Sequence, residues 1–497
     1  MNRLLFLGGL IWLVVISFSG QSCKRVLHSQ DSSQDSLLRI VKQYLDWEGE
    51  NGFSGTVLVQ LRDQPPLSAS YGFASEDQGI ENGPDVVFDI GSLTKQFTGA
   101  AILKLEMLRQ LSVNDSLGAF FPELLPDKSR ITLHHLLTHS SGLPYRSGRS
   151  HEAVNREQLL EKLTQVKLAF IPGDSVLFSD FGYNLLGLVI EKVSGTSYES
   201  FLKKHLFDPA GMKQTGYILP AWSKMKVSHG YRNCKDWGRP MELNWSEDGP
   251  HWNLKASGGL LSTANDLFLW HQALAGESIL DSASLAKYYA KHVRQELGSW
   301  GHYGYGWKIF TSSRQTTVYA HDGFNGRYFA DFLRYVDDGV TILVLSNKYR
   351  FGNPSISFEV ASCLFTPGHR PVVQGKLTLC LDSLPDNRPG QIAAELIKVL
   401  EQGRESAVRD FLHGYVASHL INKYPEQRLL DFLILEMAPM IKGGILQSVT
   451  LTDFRLIDLE FFVPLSGKRI FVNLILDEQE DYKIRGMGYD DERPRPQ

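Results

Sequence analysis

The chain has 497 residues, of which 43% are hydrophobic and 21% charged, and its formal net charge is −4. This length exceeds that of one ordinary domain, so two domains are expected, and the composition is typical of a globular protein. The slightly acidic balance argues against a nucleic-acid-binding protein, whose surface would carry an excess of lysine and arginine.

Residues 1–22 have the pattern of a secretory signal peptide. Arg3 precedes an almost unbroken apolar run from Leu4 to Phe18, and small residues follow it. The run is short for a membrane span, and an uncleaved N-terminal anchor is the alternative interpretation. The sequence therefore predicts export, to the periplasm of a bacterium.

Cys23 follows this segment directly, a position that resembles the lipoprotein signal of bacteria. Gly20 stands where that signal usually has an aliphatic residue, so two interpretations stay open. Lipid modification of Cys23 would tether the protein to a membrane surface, whereas ordinary cleavage near Ser19 would release it. The polar residues 23–35 show no periodic pattern and are predicted to be a tether.

The next elements predict an α+β domain over residues 36–366. Apolar residues recur at helical spacing over 36–47, and the segment between 53 and 75 has the pattern of a β-hairpin. Helical patterns follow, and strands resume at 327–335 and 340–347. Strands at both ends with helices between them predict one antiparallel sheet built from N-terminal and C-terminal segments.

A second, smaller α+β domain is predicted over residues 390–497. Prolines and glycines interrupt the pattern before it, so residues 367–389 are interpreted as a linker. Helical patterns cover roughly 390–440, and three strand-like runs follow them. This part contains no catalytic constellation, and we interpret it as an accessory domain.

Three further cysteines lie in the exported part of the chain: Cys234, Cys363 and Cys380. Their spacing matches no zinc or haem signature, and no metal or other cofactor is expected. A Cys363–Cys380 disulfide is one interpretation, and buried free thiols are the other.

The stretch DIGSLTKQFTGA, residues 89–100, places a serine three positions before a lysine. Residues three apart share one face of a helix, so Ser92 would lie in the first turn and Lys95 one turn later. The residues that follow are apolar on more than one face, which predicts a buried helix. Burial would lower the pKa of Lys95 and let it accept the proton of Ser92. The alternative is a capping serine and a lysine that extends to solvent.

The stretch FDIGSLTKQFTGAAILKLEMLRQLSVNDSL resembles the nucleophile helix of serine β-lactamase-related hydrolases and penicillin-binding proteins. Further stretches resemble the class C-like branch of that family in the right order, among them ITLHHLLTHSSGLP, ASGGLLSTANDLFLW and YGYGWKI. The resemblance covers about residues 36–350. It implies an antiparallel sheet flanked by helices, with a helical lobe and the active site at their junction. It also implies that Ser92 forms an acyl-enzyme, that Lys95 accepts its proton, and that the Ser92 N–H is one oxyanion donor.

The family's second motif is usually Tyr-x-Asn, and here the aligned residues are Phe178 and Asp180. Both are carried over as substrate-binding positions. Phe178 has no hydroxyl and cannot transfer a proton, although Lys95 could act alone, as lysine does in relatives that lack the tyrosine. Asp180 keeps an acceptor and loses a donor relative to asparagine.

The family's third motif, Lys-Thr-Gly or His-x-Gly, corresponds to His321, Asp322 and Gly323. His321 is expected to donate a hydrogen bond or to carry charge at lower pH, and the alternative is a loop histidine before a strand. Gly323 is expected to let a substrate backbone approach the strand closely. Asp322 would place negative charge near the usual carboxylate-binding position, which argues against penicillin-type substrates.

The sequence therefore predicts an exported serine hydrolase that acts through an acyl-enzyme on Ser92 on a small acyl, ester or peptide substrate. Esterase or peptidase/amidase activity is ranked above β-lactamase activity because of Asp322. A non-catalytic binding or sensing protein is the alternative, which Phe178 motivates. A weak acyltransferase is a third hypothesis.

Overall fold

The structure is a computed structural model that describes residues 23–492, except 63, 125, 149–151, 233, 244, 296–300, 349–353, 370, 372–377, 453–455 and 478–479. The predicted signal peptide lies outside the described residues, and so does the side chain of Cys23. Within the described part of the chain, no helix has the length and apolar character needed to cross a membrane.

Strands lie at both ends of the first three quarters of the chain, and a second group of helices and strands follows. The strands are, in chain order, β1 Gly55–Leu61, β2 Leu67–Tyr71, β3 Phe73–Ser75, β4 Ile80–Glu81, β5 Phe88–Asp89, β6 Tyr231–Arg232, β7 Lys235–Asp236, β8 Leu261–Ser262, β9 Val293–Arg294, β10 His302–Tyr303, β11 Lys308–Thr311, β12 Thr317–Phe324, β13 Phe329–Tyr335, β14 Val340–Ser346, β15 Thr378–Leu381, β16 Ile445–Thr452, β17 Leu456–Val463, β18 Lys468–Asp477 and β19 Lys483–Glu492.

Helices fill the middle of the chain and open its last quarter. The α-helices are, in chain order, α1 Cys23–Glu50, α2 Thr94–Met107, α3 Leu117–Phe120, α4 Pro126–Ser129, α5 Leu133–Leu137, α6 Arg156–Gln165, α7 Asp180–Ser194, α8 Tyr198–Leu202, α9 Asp208–Ala210, α10 Ala264–Ala273, α11 Ser282–Tyr288, α12 Pro354–Phe365, α13 Arg388–Gln402, α14 Glu405–Tyr415, α15 Ser418–Lys423, α16 Glu426–Asp431 and α17 Ala438–Ile441. Short 3₁₀ turns lie at Gly91–Leu93, Trp222–Lys224 and Pro240–Glu242, and π turns at Lys203–Phe207 and Phe432–Met437.

The larger sheet has eight strands in the order β2-β1-β14-β13-β12-β11-β10-β9. Strand β1 pairs antiparallel with β14, with Gly55 opposite Ser346 and Leu61 opposite Val340. The N-terminal hairpin and the late strands therefore share one sheet, and this confirms the predicted α+β architecture.

This sheet is covered on both faces. On one face, side chains of β11 to β14 pack with α2, α7 and α10 in a large apolar core that includes Phe97, Leu186 and Trp270. On the other face, α1 and α12 pack against β1, β13 and β14 through residues such as Leu45 and Val360. We call these the inner and outer faces of the sheet.

Helix α1 is longer than the sequence predicted. It begins at Cys23, so the segment 23–35, predicted to be a tether without a pattern, is helical. The segment contains neither proline nor glycine, and a helix that packs on the sheet from residue 37 onward extends readily through such a polar stretch.

A second sheet has the order β15-β16-β17-β18-β19, and α13 to α17 pack on it around a separate apolar core. Strand β15 lies inside residues 367–389, which the sequence predicted to be a linker. Leu379 and Leu381 pack against the second core, so the short alternation of apolar residues in this segment is that of a strand. The prolines on both sides of β15 favoured the interpretation of this segment as a linker.

The β6–β7 hairpin of the first part contacts the second sheet. Cys234 in this hairpin forms a disulfide with Cys380 on β15, whereas Cys363 is a buried free thiol. The interpretation of a Cys363–Cys380 disulfide was therefore wrong, since spacing alone does not determine pairing. Beside the disulfide, Arg232 pairs with Asp458, and Lys235 Nζ lies 2.7 Å from a carboxylate oxygen of the fully buried Glu460.

Two aspartates stand directly opposite each other on the outer face, Asp322 on β12 and Asp331 on β13. Asp331 is buried and accepts a hydrogen bond from the hydroxyl of Ser357 on α12. Asp322 forms an ion pair with Lys308 of the neighbouring strand. Burial raises the pKa of Asp331 to about 8, and the negative charge of Asp322 adds to this effect.

We expect an Asp331→Asn variant to be more stable than the wild type in alkaline buffer. Folded wild-type protein must keep Asp331 protonated up to about pH 8, whereas the unfolded chain ionises it near pH 4. Wild-type stability therefore falls as the pH rises through this window, and asparagine removes the loss while still accepting from Ser357. At pH 9 the Tm of the variant should exceed that of the wild type by on the order of 5 °C, and the difference should shrink toward pH 5. An Asp174→Asn change at an exposed position is the control, and a pH-independent difference would contradict the assignment.

Candidate active site

The turn that carries Ser92 is fixed by buried polar contacts. Gly91 has φ +51°, a left-handed conformation that glycine adopts without strain. The carboxylate of Asp89 accepts hydrogen bonds from the Gly91 N–H and from the side chain of Asn325, both at 2.8 Å. Burial raises the pKa of Asp89 to about 6, so it is largely ionised at neutral pH. The 3₁₀ turn then continues directly into α2 at Thr94, as the sequence predicted.

Lys95 lies one turn further, and its side chain is fully buried. Its Nζ is 2.8 Å from Ser92 Oγ, 2.8 Å from the backbone oxygen of Ser257 and 2.7 Å from a carboxylate oxygen of Asp180. Ser257 and Asp180 can each accept one N–H of a neutral amine. The remaining lone pair of Lys95 then points to the Ser92 hydroxyl, which is the arrangement a general base requires.

Two opposing effects determine the charge of Lys95. Burial lowers its pKa, because desolvation disfavours the ammonium form. The carboxylate of Asp180 raises the pKa through its charge and its hydrogen bond, and Arg146 lowers it to a smaller degree. Desolvation outweighs the attraction, so the pKa of Lys95 lies below its ordinary value.

An Asp180→Asn variant should react at Ser92 at lower pH than the wild type. Asparagine removes the negative charge that favours protonated Lys95, so the pKa of Lys95 falls further. We expect the rising limb of the pH–rate profile for Ser92 modification to move down by about one pH unit. An Arg146→Gln variant removes a positive charge and should move the same limb upward by a smaller amount. Shifts in the same direction for both variants would show that the limb does not report Lys95.

The second-motif residues Phe178 and Asp180, carried over as substrate-binding positions, lie beside Lys95. The ring centroid of Phe178 is 5.2 Å from Lys95 Nζ, and Asp180 contacts Nζ directly. Between them, Ser179 caps α7 through its side chain. Phe178 thus adds an apolar ring beside Nζ of Lys95 but no hydroxyl that could transfer a proton.

An aromatic cluster forms the deep end of the site. His139 stacks on Phe178 with centroids 4.0 Å apart, and Tyr303 lies 4.7 Å from His139. His139 Nδ1 accepts a hydrogen bond from the Ser179 N–H, so this histidine positions the second motif. Burial lowers the pKa of His139 well below its ordinary value, with smaller contributions from Lys95 and His321. The cluster therefore places uncharged rings near Lys95.

His321 lies on the inner face of the sheet. The sequence predicted that it would donate a hydrogen bond to the substrate or carry charge at lower pH, and its surroundings differ from both expectations. It is buried, its Nδ1 is 2.7 Å from the Asp322 backbone oxygen, and its Nε2 is 3.0 Å from the hydroxyl of Tyr303. Both ring nitrogens thus have partners within the protein. Burial lowers the pKa of His321 to about 3, so it is neutral at physiological pH. Tyr303 is the first residue of the stretch YGYGWKI, whose sequence alone gave no sign of this contact.

Gly323 is needed for a close contact of a different kind from the predicted one. A Cβ atom at this position would lie 2.1 Å from the Ile90 backbone oxygen and 3.0 Å from the Ser92 nitrogen. The space on the inner side of Gly323 is filled by the turn that carries Ser92. The absence of a side chain therefore lets β12 approach the nucleophile turn closely. The sequence had predicted that a substrate backbone would make this close approach.

Asp322 lies on the opposite face of the sheet from Ser92. Side chains alternate along β12, so His321 and Gly323 face α2 while Asp322 faces Lys308 and Asp331. Its charge is compensated by Lys308 and does not face the Ser92 hydroxyl. Asp322 therefore does not place its carboxylate beside Ser92, as the sequence had predicted that it would, although its charge still contributes to the electrostatics of Lys95.

Residues missed by sequence reasoning complete the site. Arg146 Nε lies 3.4 Å from Asp180, with about 40% of its side chain exposed, and the rings of Tyr145 and Phe324 are also exposed near the site. Ser257 contributes only its backbone oxygen, which no residue-type signal reveals. Neither of the two groups of metal-ligating side chains among the described residues includes a residue of this site.

Comparisons with known proteins bear on the family of this chain. A family model described as Beta-lactamase matches residues 37–355. Penicillin-binding protein 4* of Bacillus subtilis is 30% identical over 315 residues, which are 60% of this chain and 68% of that protein.

Two solved structures have a similar fold. A penicillin-binding protein from Bacillus halodurans is 26% identical with a TM-score of 0.55, and the match covers 66% of this chain and 100% of that chain. A D-amino acid amidase from Ochrobactrum anthropi SV3 is 21% identical with a TM-score of 0.58, covering 66% of this chain and 97% of that chain. These matches confirm the fold that the sequence predicted, with an antiparallel sheet flanked by helices.

Proposed function

Because the chain belongs to the beta-lactamase family, as its resemblance predicted, we propose that it is a serine hydrolase with Ser92 as nucleophile and Lys95 as general base. One observation carries the proposal: Nζ of the fully buried Lys95 lies 2.8 Å from Ser92 Oγ. Burial lowers the pKa of this lysine, so it is available as a neutral base at lower pH than an exposed lysine.

The proposed reaction has two halves. Lys95 takes the proton of Ser92 as Oγ attacks the substrate carbonyl carbon, and the Ser92 N–H stabilises the oxyanion. The Lys95 ammonium then gives this proton to the leaving nitrogen or oxygen as the bond to the acyl carbon breaks. Water next loses a proton to Lys95, attacks the acyl group, and Ser92 recovers its proton. Asp180 and Ser257 hold Nζ throughout.

For the substrate we propose a small peptide, amide or ester. The names of the relatives support this choice, since they include penicillin-binding proteins and a D-amino acid amidase. Asp322 no longer argues against carboxylate-bearing substrates, so penicillin-type compounds belong in the same screen. Lys95 acts without the usual tyrosine in this proposal, and we expect slower turnover than in an enzyme with a complete second motif.

The proposal extends to the location of the protein. The apolar segment before Cys23 supports export to a bacterial periplasm, and the position of Cys23 supports a lipid anchor. The mass of the mature N-terminal peptide tests this: a diacylglycerol on Cys23 supports the anchor, and a free N-terminus near Gly20 contradicts it.

Covalent labelling tests the nucleophile. Wild type, Ser92→Ala and Phe178→Tyr are incubated with a fluorophosphonate, and intact masses are recorded. The proposal expects a single adduct on the wild type that is absent from Ser92→Ala. An adduct that persists in Ser92→Ala would contradict it.

The second candidate is a binding or sensing protein that keeps the fold, and Phe178 is the observation that favours it. Phe178 removes the hydroxyl that assists proton transfer in the usual second motif. An adduct on Phe178→Tyr but not on the wild type would select this candidate, because it shows an intact pocket without an active base.

A further inference from the structure

A second group of reactive side chains lies on the outer face of the larger sheet, away from Ser92. Glu359 and Cys363 are one turn apart on α12, and His369 follows the end of this helix. One ligand atom from each residue, a carboxylate oxygen, the thiol sulfur and an imidazole nitrogen, lies within 4.8 Å of the other two. Three side chains of different chemistry therefore lie close enough together to bind one ion.

These donors form the set that zinc prefers in proteins. Thiolate, imidazole and carboxylate are its three usual ligand types, and tetrahedral coordination needs four of them or three with water. Imidazole and thiolate also distinguish zinc from calcium and magnesium, which take oxygen ligands. A carboxylate on the same helix face as the thiol adds the charge that a divalent cation requires.

The burial of the group suits a bound ion. Cys363 is buried with 3% of its surface exposed, while Glu359 and His369 are about one quarter exposed, so an ion has a path from solvent. His369 Nε2 lies 2.6 Å from Glu359, so a small separation of these two side chains would admit an ion. The hydroxyl of Tyr44 on α1 lies nearby, and the charges of Glu359 and Cys363 contribute to the raised pKa of Tyr44, after burial and Glu48.

We propose that Glu359, Cys363 and His369 bind one Zn²⁺ ion, with water as the fourth ligand. Burial raises the pKa of the Cys363 thiol to about 11, so zinc binding displaces the thiol proton to solvent as the sulfur–zinc bond forms. The hydrogen that His369 Nε2 shares with Glu359 moves to Nδ1 through solvent, and the Glu359–His369 hydrogen bond is replaced by two bonds to the metal. The ion would link the segment after α12, which carries His369, to α12 itself. It would so hold the C-terminal end of this helix on the outer face of the sheet.

Cobalt titration tests the site in the full-length protein, freed of metal and with Cys363 reduced. Cobalt(II) occupies tetrahedral zinc sites and gives a thiolate-to-metal charge-transfer band only when a cysteine sulfur binds it. The proposal expects one equivalent of Co²⁺ to produce this band and Zn²⁺ to abolish it. The Cys363→Ser variant should lose the band, and Glu359→Gln and His369→Ala should weaken binding at least about tenfold.

The matched control uses His419, Asp477 and Glu480, a second group of potential metal ligands among the described residues, which contains no thiol. A His419→Ala variant should leave the band unchanged. Absence of the band in the wild type, or a band that survives in His369→Ala at full affinity, would overturn the proposal. Circular dichroism of each variant identifies any that fails to fold, and Glu359→Gln, at a partly exposed position, keeps the test independent of Cys363.

Discussion

A Lys95→Met variant should be modified at Ser92 about 10³-fold more slowly than the wild type, within the range usual for the loss of a general base. Methionine fills the buried space of the lysine stem but has no basic nitrogen, so the Ser92 hydroxyl loses its proton acceptor 2.8 Å away. The measurement is the rate of fluorophosphonate adduct formation, followed by intact mass over time.

Folding must be separated from chemistry in this variant. Removal of Lys95 leaves the Asp180 side chain, only 9% exposed, without its nearest positive charge. The double variant Lys95→Met/Asp180→Asn also removes the buried carboxylate, which Arg146 alone would face at 3.4 Å, and should recover thermal stability without recovering the rate. A double variant with wild-type labelling would contradict the role of Lys95, and one that stays unfolded would contradict the account of the buried pair.

Gly323→Ala should impair both stability and Ser92 modification. The added Cβ would lie 2.1 Å from the Ile90 backbone oxygen, a distance that only a shift of the nucleophile turn or of β12 can relieve. Overpacking of this kind costs about 1–3 kcal/mol, and displacement of the Ser92 N–H from the oxyanion costs about 10²-fold in rate.

Gly83→Ala is the matched control, because a Cβ at Gly83 meets no atom within 4 Å and the backbone there is not left-handed. Melting temperature and labelling rate are measured for both variants. Gly323→Ala with unchanged labelling would show that β12 does not set the position of the Ser92 N–H.

The nucleophile helix was predictable because its signals are local. Two apolar stripes after Lys95 indicate burial on several sides, and the three-residue spacing places Ser92 and Lys95 on one face. The two-ended sheet was also predictable, since alternating strands at the chain's two ends need each other to bury their apolar faces.

The third motif shows a limit of alignment by motif. Once Gly323 contacts the Ser92 turn, the two-residue period of a strand assigns Asp322 to the other face. The motif letters alone suggested that all three residues face the substrate. The sequence also held no indication of the hydrogen-bond partners of His321. Tyr303 on β10 reaches His321 on β12 because both strands pair with β11.

Other features depend on contacts distant in the chain. The pairing of Cys234 with Cys380 spans 146 residues, and spacing cannot choose it over Cys363. Strand β15 has four residues, too few for its alternation to stand out between prolines.

The same disulfide has a consequence for how the protein is made. Synthesis runs from the N-terminus, so Cys234 and Cys363 are both present in the growing chain before Cys380, the partner of Cys234 in the folded protein. Cys363 is enclosed between α12 and the outer face of the sheet once that part folds. Once α12 has packed, the buried Cys363 thiol no longer competes with Cys380 for Cys234, so the folding of the first part selects the partner that the second part supplies.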